Sequence, residues 1–265
     1  MFIIFFILGL IIGSFLNAVV YRLDAVESLW ERSHCPHCKK KIRWFDNIPL
    51  LSFIVLSARC RDCGEKISWQ YPAVELMTGI VFAMIGSYFF VQADMFSWLT
   101  TLYLMAEFSL LIIIFIYDLK YMEIPMIILW AGVAVAVVYS LIADWNQFGT
   151  ADSLLSLNLI SSLIAGIVAF LFFFVLAAAS KETWMGMGDA YLGLLAGLIM
   201  GWPGILLALL FSFTVGAVVS MILVFLRRKT VKSQVPFAPF LVVGMLLAIM
   251  LPQMFPQFEN FLFLM

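Results

Sequence analysis

Charge is scarce in this 265-residue chain: Asp, Glu, Lys and Arg make up 12% of it, while 65% of its residues are hydrophobic. That balance excludes an ordinary soluble domain and places the chain among polytopic membrane proteins. Histidine is nearly absent. Both copies, His34 and His37, sit beside cysteines in one loop, so neither an intramembrane Ser-His pair nor a His-Glu-x-x-His metal site can be built. No lysine falls inside an apolar segment to activate a serine, and no Asp-Thr-Gly or Asp-Ser-Gly occurs, which argues against soluble aspartic peptidases. Only four cysteines are present, all in the same loop.

What remains is apolar sequence in long runs. Segments near 2–21, 73–91, 98–117, 124–142, 157–179 and 204–226 have the roughly 17 to 25 residues that a helix needs to cross a bilayer. Two shorter ones, 190–200 and 237–251, borrow flanking residues. The expectation is an all-α polytopic membrane protein of about eight transmembrane helices. It would carry a first helix at 1–22, a cytoplasmic loop domain at 23–71 and a membrane core at 72–265. The first segment lacks a basic start and a small-residue cleavage site, so it reads as a retained helix and not a secretory signal.

Basic residues favour the cytoplasmic side. Every Lys and Arg falls in the stretch from Arg22 to Lys66 or beside alternate spans, at Lys120, Lys181, Arg227, Arg228, Lys229 and Lys232. Acids such as Asp94, Asp144, Asp152 and Glu259 occupy the opposite loops. Eight spans with the N-terminus outside separate the charges completely. The implied inner face is basic, suited to anionic lipid head groups, with no need for nucleic acid.

The loop contains an internal repeat. Cys35-x-x-Cys38-x-x-x-Ile42-x-Trp44 is matched by Cys60-x-x-Cys63-x-x-x-Ile67-x-Trp69. Paired Cys-x-x-Cys units offer four thiolates to one structural zinc, Cys35, Cys38, Cys60 and Cys63, a closed tetrahedral shell that leaves the histidines as bystanders. Disulfides fit poorly in a reducing cytoplasm. Between the knuckles, Asn47-Ile48-Pro49 followed by Leu50 to Leu56 reads as a short capped helix, too short to span, on the membrane surface or under the zinc module.

Two acids stand out in the core. Met185-Gly186-Met187-Gly188-Asp189 places a carboxylate at the start of an apolar helix, and its glycines allow tight, left-handed or closely approached backbone there. Taken alone, Asp189 reads at least as well as a helix cap. Asp118, in Tyr117-Asp118-Leu119-Lys120, ends another span on the same side. Two such carboxylates could hold one water, one taking its proton while the other protonates the leaving group. The expected pair would share a proton, with Asp189 at a positive helix start ionised and Asp118 at a negative helix end protonated. Glu107, three helical turns before Asp118 on the same face, and Glu75, after Tyr71-Pro72, are candidates for lining a substrate groove or for structural hydrogen bonds.

Taken together these motifs resemble the bacterial type IV prepilin peptidases, also called leader peptidase/N-methyltransferases, whose membrane aspartates belong to the Gly-x-Gly-Asp class. The resemblance rests on Gly13-Ser14-Phe15-Leu16-Asn17 with Tyr21-Arg22-Leu23, the tetracysteine loop with Asn47-Ile48-Pro49, Tyr71-Pro72 with Glu75, Asp118 with Ile124-Pro125, Gly186 to Asp189, and Pro236-Phe237 with Pro239. It implies catalysis by Asp118 and Asp189, with prepilins and pseudopilins cut at the cytoplasmic face. It further implies methylation of the new N-terminus from S-adenosylmethionine. Three positions depart from the family's usual pattern: Met126 where Asp is common, Tyr191 where Lys is common and Ala238 where Gly is common. The rival reading is a non-enzymatic membrane scaffold whose zinc module docks a cytoplasmic partner.

Overall fold

A bilayer offers no water to unpaired backbone groups, so apolar runs of this length must satisfy their amides internally, and they do so as helices. The computed structural model describes residues 1–28, 31–90, 94–147, 157–183, 185–226 and 235–254. Among these there is no strand, only helices and two isolated antiparallel bridges. Six helices are long and apolar enough to cross a membrane: α1 (Phe2–Ala25), α3 (Gln70–Phe89), α4 (Met95–Tyr121), α5 (Met126–Gln147), α6 (Asn158–Ser180) and α8 (Gly204–Phe225). The two short expected segments appear as shorter apolar helices, α7 (Met187–Met200) and α9 (Ala238–Met254). Arg227, Arg228, Lys229, Lys232, Asp152 and Glu259 lie outside the described residues.

The chain divides into two compact units, Met1–Ile113 and Ile114–Met265. In the first, α1 packs along α3. The small and amide residues near the end of α1 make this possible: a side chain on Gly13 would come within 2.8 Å of the Glu75 Cα. Four residues on, buried Asn17 donates through Nδ2 to the carbonyls of Gly13 at 3.3 Å and Tyr71 at 3.1 Å, while Gln70 Nε2 donates to Asn17 Oδ1 at 3.4 Å. An amide in hydrocarbon is costly unless paired, and here all its groups are used.

Between α1 and α3, the expected capped helix is shorter and starts differently. Trp44–Asn47 is a turn of 3-10 helix, and α2 covers only Leu51–Val55. Asn47 does not cap it. Leu50 takes a positive φ of 59° and its N–H donates instead to Glu75 Oε2 at 2.8 Å, so a carboxylate from α3 replaces the local cap. Sequence spacing cannot foresee a cap drawn from another helix.

In the second unit, α7 is central, packing against α5, α6, α8 and α9. Ala190, Leu192, Leu195 and Ala196 are fully enclosed. Gly197 permits the α6 crossing, since a side chain there would collide with the backbone of Ala165 and Gly166. Phe237, just before α9, meets Phe173 of α6 and Phe213 of α8, with ring centroids 5.3 and 5.5 Å away. These contacts fix α7, which carries Asp189, and the start of α9, which meets Asp118 of α4.

Candidate active site and metal centre

Asp189 occupies the third position of α7. Its Oδ2 accepts the Gly186 N–H at 3.1 Å while its own N–H donates to the Gly186 carbonyl, also at 3.1 Å, so the aspartate closes the helix start on itself. Of the conformations open to these glycines, neither takes the left-handed one: Gly186 is extended, with φ −79° and ψ 157°, and Gly188 lies inside the helix, where close approach is what it allows. What the missing Gly188 side chain provides is room, because a Cβ would lie 3.2 Å from Ile124 Cδ1. That contact brings Ile124-Pro125 beside the start of α7.

Asp118 lies in the last turn of α4 and is 5% exposed. Its Oδ2 accepts the N–H of Ala238, the first residue of α9, at 3.0 Å. Both aspartates therefore sit at positive helix starts, Asp189 at α7 and Asp118 at α9, whereas the sequence placed Asp118 only at a negative helix end. The two carboxyl groups are near enough to act on each other electrostatically.

A third aspartate, Asp144, caps a helix with both of its oxygens. At the end of α5, Asp144 spends both oxygens on α6: Oδ1 accepts from the N–H and Nδ2 of Asn158 at 2.7 and 3.0 Å, and Oδ2 accepts from Leu159 N–H at 3.0 Å. Asp118 and Asp189 each commit one oxygen to a backbone amide. Each Oδ1 is left without a protein hydrogen bond among the described residues.

In the first unit the cysteine repeat is also a repeat of structure. Cys35 N–H donates to Lys40 O at 3.0 Å and Cys60 N–H to Glu65 O at 2.8 Å. Lys39 N–H returns to Cys35 O and Gly64 N–H to Cys60 O, both at 2.9 Å. Lys39 and Gly64, at matched positions, both take positive φ, 55° and 72°. The bridges His34 with Lys41 and Arg59 with Lys66 close the two knuckles alike. The four thiols are free and their sulfurs all lie within 4.8 Å of one another, Cys35 and Cys63 at 3.9 Å.

This cluster could hold a metal ion. Four sulfurs at about 2.3 Å from one tetrahedral ion stand roughly 3.8 Å apart, close to the observed spread. The amides of Cys63 and Asp62 draw the Cys60 thiol down to about 7. Cys63 is pushed up to about 12: the Glu65 amide pulls the other way, but desolvation and the thiols of Cys60, Cys38 and Cys35 prevail. So many thiolates cannot crowd together without a cation. His34 faces Glu27 and the Tyr21 ring, and neither histidine joins the sulfur cluster.

Comparison with known proteins decides the affiliation. Residues 7–89 match the bacterial peptidase A24 N-terminal domain, and residues 105–221 match the type IV leader peptidase family. A prepilin leader peptidase/N-methyltransferase of Bacillus subtilis is 31% identical over 249 residues, 92% of each chain. The chain belongs to the type IV leader peptidase family. An Escherichia coli type 4 prepilin-like proteins leader peptide-processing enzyme is 32% identical, with 93% of each chain covered. A prepilin leader peptidase/N-methyltransferase of Myxococcus xanthus is 33% identical over 82% of this chain, which spans 62% of that relative's length. No solved structure matches the chain.

Within this family the three departures take on a physical meaning. Ala238 offers its backbone amide to Asp118, a contact that Gly or Ala can make equally. Tyr191 packs its ring against Phe170 and Trp130 at 5.6 and 6.0 Å, so an aromatic contact stands where a lysine is usual. Met126 opens α5 and is partly exposed. The remaining acids go elsewhere. Glu75 holds Leu50, and Glu107 is fully enclosed with neither oxygen hydrogen-bonded among the described residues. By helical rise Glu107 lies about 16 Å along α4 from Asp118. The Ala238 amide is the site feature missed in sequence; its one signal was the pair Pro236 and Pro239, which frame a helix start.

Proposed function

We propose that this membrane protein hydrolyses the leader of type IV prepilins and pseudopilins with Asp118 and Asp189 as its catalytic pair, at the cytoplasmic face. The observation that carries the reading is the division of labour at each carboxylate, one oxygen tethered by a backbone amide and the other left open, in two groups close enough to interact. Family membership and relatives named as prepilin leader peptidases support the substrate class.

The chemistry follows from one shared proton. Two neighbouring carboxyls resist joint ionisation, so one of them is protonated while the other accepts. The ionised acid takes a proton from a water held between the two Oδ1 atoms, and the oxygen of that water attacks the scissile carbonyl carbon. The protonated acid hydrogen-bonds the carbonyl oxygen as it becomes tetrahedral. Collapse breaks the C–N bond, and the proton taken from water is delivered to the departing amine. The amide tethers keep both carboxylates from rotating, which preserves the alignment on which acid–base catalysis depends.

The relatives' names also support methylation of the new N-terminal amine. S-adenosylmethionine would supply the methyl group to that amine, which would release a proton to solvent. In Cys35, Cys38, Cys60 and Cys63 we place a structural zinc, which would supply folding free energy to a small loop with little core. It takes no part in hydrolysis.

The test is a purified protein in lipid nanodiscs with a prepilin, with and without S-adenosylmethionine, followed by intact mass and N-terminal sequencing of the product. The expected result is loss of the leader, and a gain of one methyl only when the donor is present. An uncut prepilin across pH and lipid composition would overturn the assignment.

A further inference from the structure

Within the first unit, α2 and the start of α3 enclose a cleft of about 660 Å3. Its walls are Phe53 and Ile54 on α2 and Trp69, Pro72 and Leu76 at and beyond the start of α3, with Ser57 the one hydroxyl-bearing residue of its lining. The rings of Phe53 and Trp69 stand 4.9 Å apart and brace one side. In the cleft wall and beside it, hydrophobic side chains are open to solvent: Ile54 is 70% exposed, Val55 73% and Trp69 75%. So much contiguous apolar surface around a concave site marks a binding face, since its exposure to water is costly.

Two observations say what covers it. The first is continuity with lipid: Pro72, Ala73 and Leu76 belong to the opening turns of α3, a helix able to cross the bilayer, and further along α3 Leu76 and Ile80 are also exposed. The cleft therefore runs onto an exposed apolar face of a helix able to cross the bilayer. The second is charge. Arg59 follows the cleft residue Ala58 and is bridged to Lys66, both are exposed, and neither has an acidic partner among the described residues. An extended peptide in this cleft would bury a row of amides against a lining whose one side-chain partner is the Ser57 hydroxyl. A hydrocarbon chain has none to satisfy.

The geometry points to a phospholipid site, in which the cleft between α2 and α3 takes an acyl chain of an anionic lipid while Arg59 and Lys66 face its phosphate. Occupied in this way, the exposed face of α2 lies at the boundary between head groups and acyl chains, and the cysteine module is seated on the membrane by lipid as well as by the Glu75 clamp. The proposal does not depend on the peptidase assignment.

A photocrosslinker tests it. The full-length protein carrying p-benzoylphenylalanine in place of Ile54 is placed in nanodiscs of phosphatidylethanolamine and phosphatidylglycerol, with and without prepilin, irradiated and weighed by mass spectrometry. The expected adduct is phosphatidylglycerol, favoured over phosphatidylethanolamine by about fivefold or more after correction for composition. R59Q/K66Q should bring the two lipids to parity while metal content stays at the wild-type level, which reports a folded module. Raising the salt should erode the preference in the unsubstituted charge background, independently of any variant. Adducts to prepilin or to a second copy of the chain, equal labelling of the two lipids at low salt, or no lipid adduct would each overturn it.

Discussion

Across 120 positions of sequence, the backbone amide of Ala238 donates to Asp118 Oδ2 at 3.0 Å and ties the end of α4 to the start of α9. The amide is one of the unpaired donors of a helix start. Its contact leaves the side chain with a single free oxygen, and every expectation about catalysis depends on that arrangement.

If the free oxygens carry the chemistry, isosteric removal of charge should separate catalysis from folding. Asp118→Asn and Asp189→Asn keep a carbonyl oxygen for the tethering amide but lose acid–base capacity. Cleavage should fall by about a thousandfold or more in each, with the protein still extracted from the membrane as a single folded species. Asp144→Ala is the control. It deprives α6 of its cap and should cost about 0.5–2 kcal/mol of stability, seen as a lower melting temperature, while the folded fraction keeps its specific activity.

The tether itself can be removed without altering either acid. Ala238→Pro deletes the donor at a helix start, a position that tolerates proline. Loss of a hydrogen bond to a carboxylate, about 1.5–3 kcal/mol, predicts a drop in kcat of roughly 10- to 100-fold, with a much smaller change in KM. Ala238→Gly retains the amide and should stay within about twofold of wild type. Equal kinetics for the proline and glycine variants would show the tether to be idle.

How far the sequence could be read depended on whether a feature was local. Apolar runs of spanning length declare helices regardless of partners, and α1, α3, α4, α5, α6 and α8 fall where those runs lie. The cysteine knuckles were visible because side-chain identity and spacing repeat, and the same hydrogen bonds then recur at Cys35 and Cys60. The Ala238 donor was not visible, because a backbone amide carries no residue signature and its acceptor lies on another helix. For the same reason Asn47 was assigned a cap that Glu75 supplies. Asp118 ends α4 as its sequence position implies, and the α9 amide that faces it adds a positive helix start that no local pattern announces.

The zinc proposed for the cysteine module should be stoichiometric. One metal per chain is expected by elemental analysis, and Cys35→Ser or Cys60→Ser should remove it. Because metal binding supplies folding free energy to so small a unit, chelation should speed hydrogen exchange at the Cys35, Lys39, Cys60, Gly64 and Ile67 amides, which now close the two knuckles. Exchange at those amides unaffected by chelation would mean that the loop holds its shape without metal.

The glycines of the Gly-x-Gly-Asp stretch should behave unequally. Gly186 has an extended backbone, and a Cβ there would meet nothing closer than 3.9 Å, so Gly186→Ala should leave cleavage within about threefold, the range of a substitution that neither clashes nor strains. Gly188→Ala presses on the flexible end of Ile124 at 3.2 Å, and a modest loss is expected as that side chain gives way. Gly197→Ala is different in kind, because its methyl would collide with the backbone of Ala165 and Gly166 and force α7 off α6. Overpacking of this sort costs about 1–3 kcal/mol or more, and since α7 carries Asp189, both the melting temperature and cleavage should fall. Should Gly186→Ala prove the most damaging of the three, its role would lie in contacts with substrate and not in the fold of the helix start.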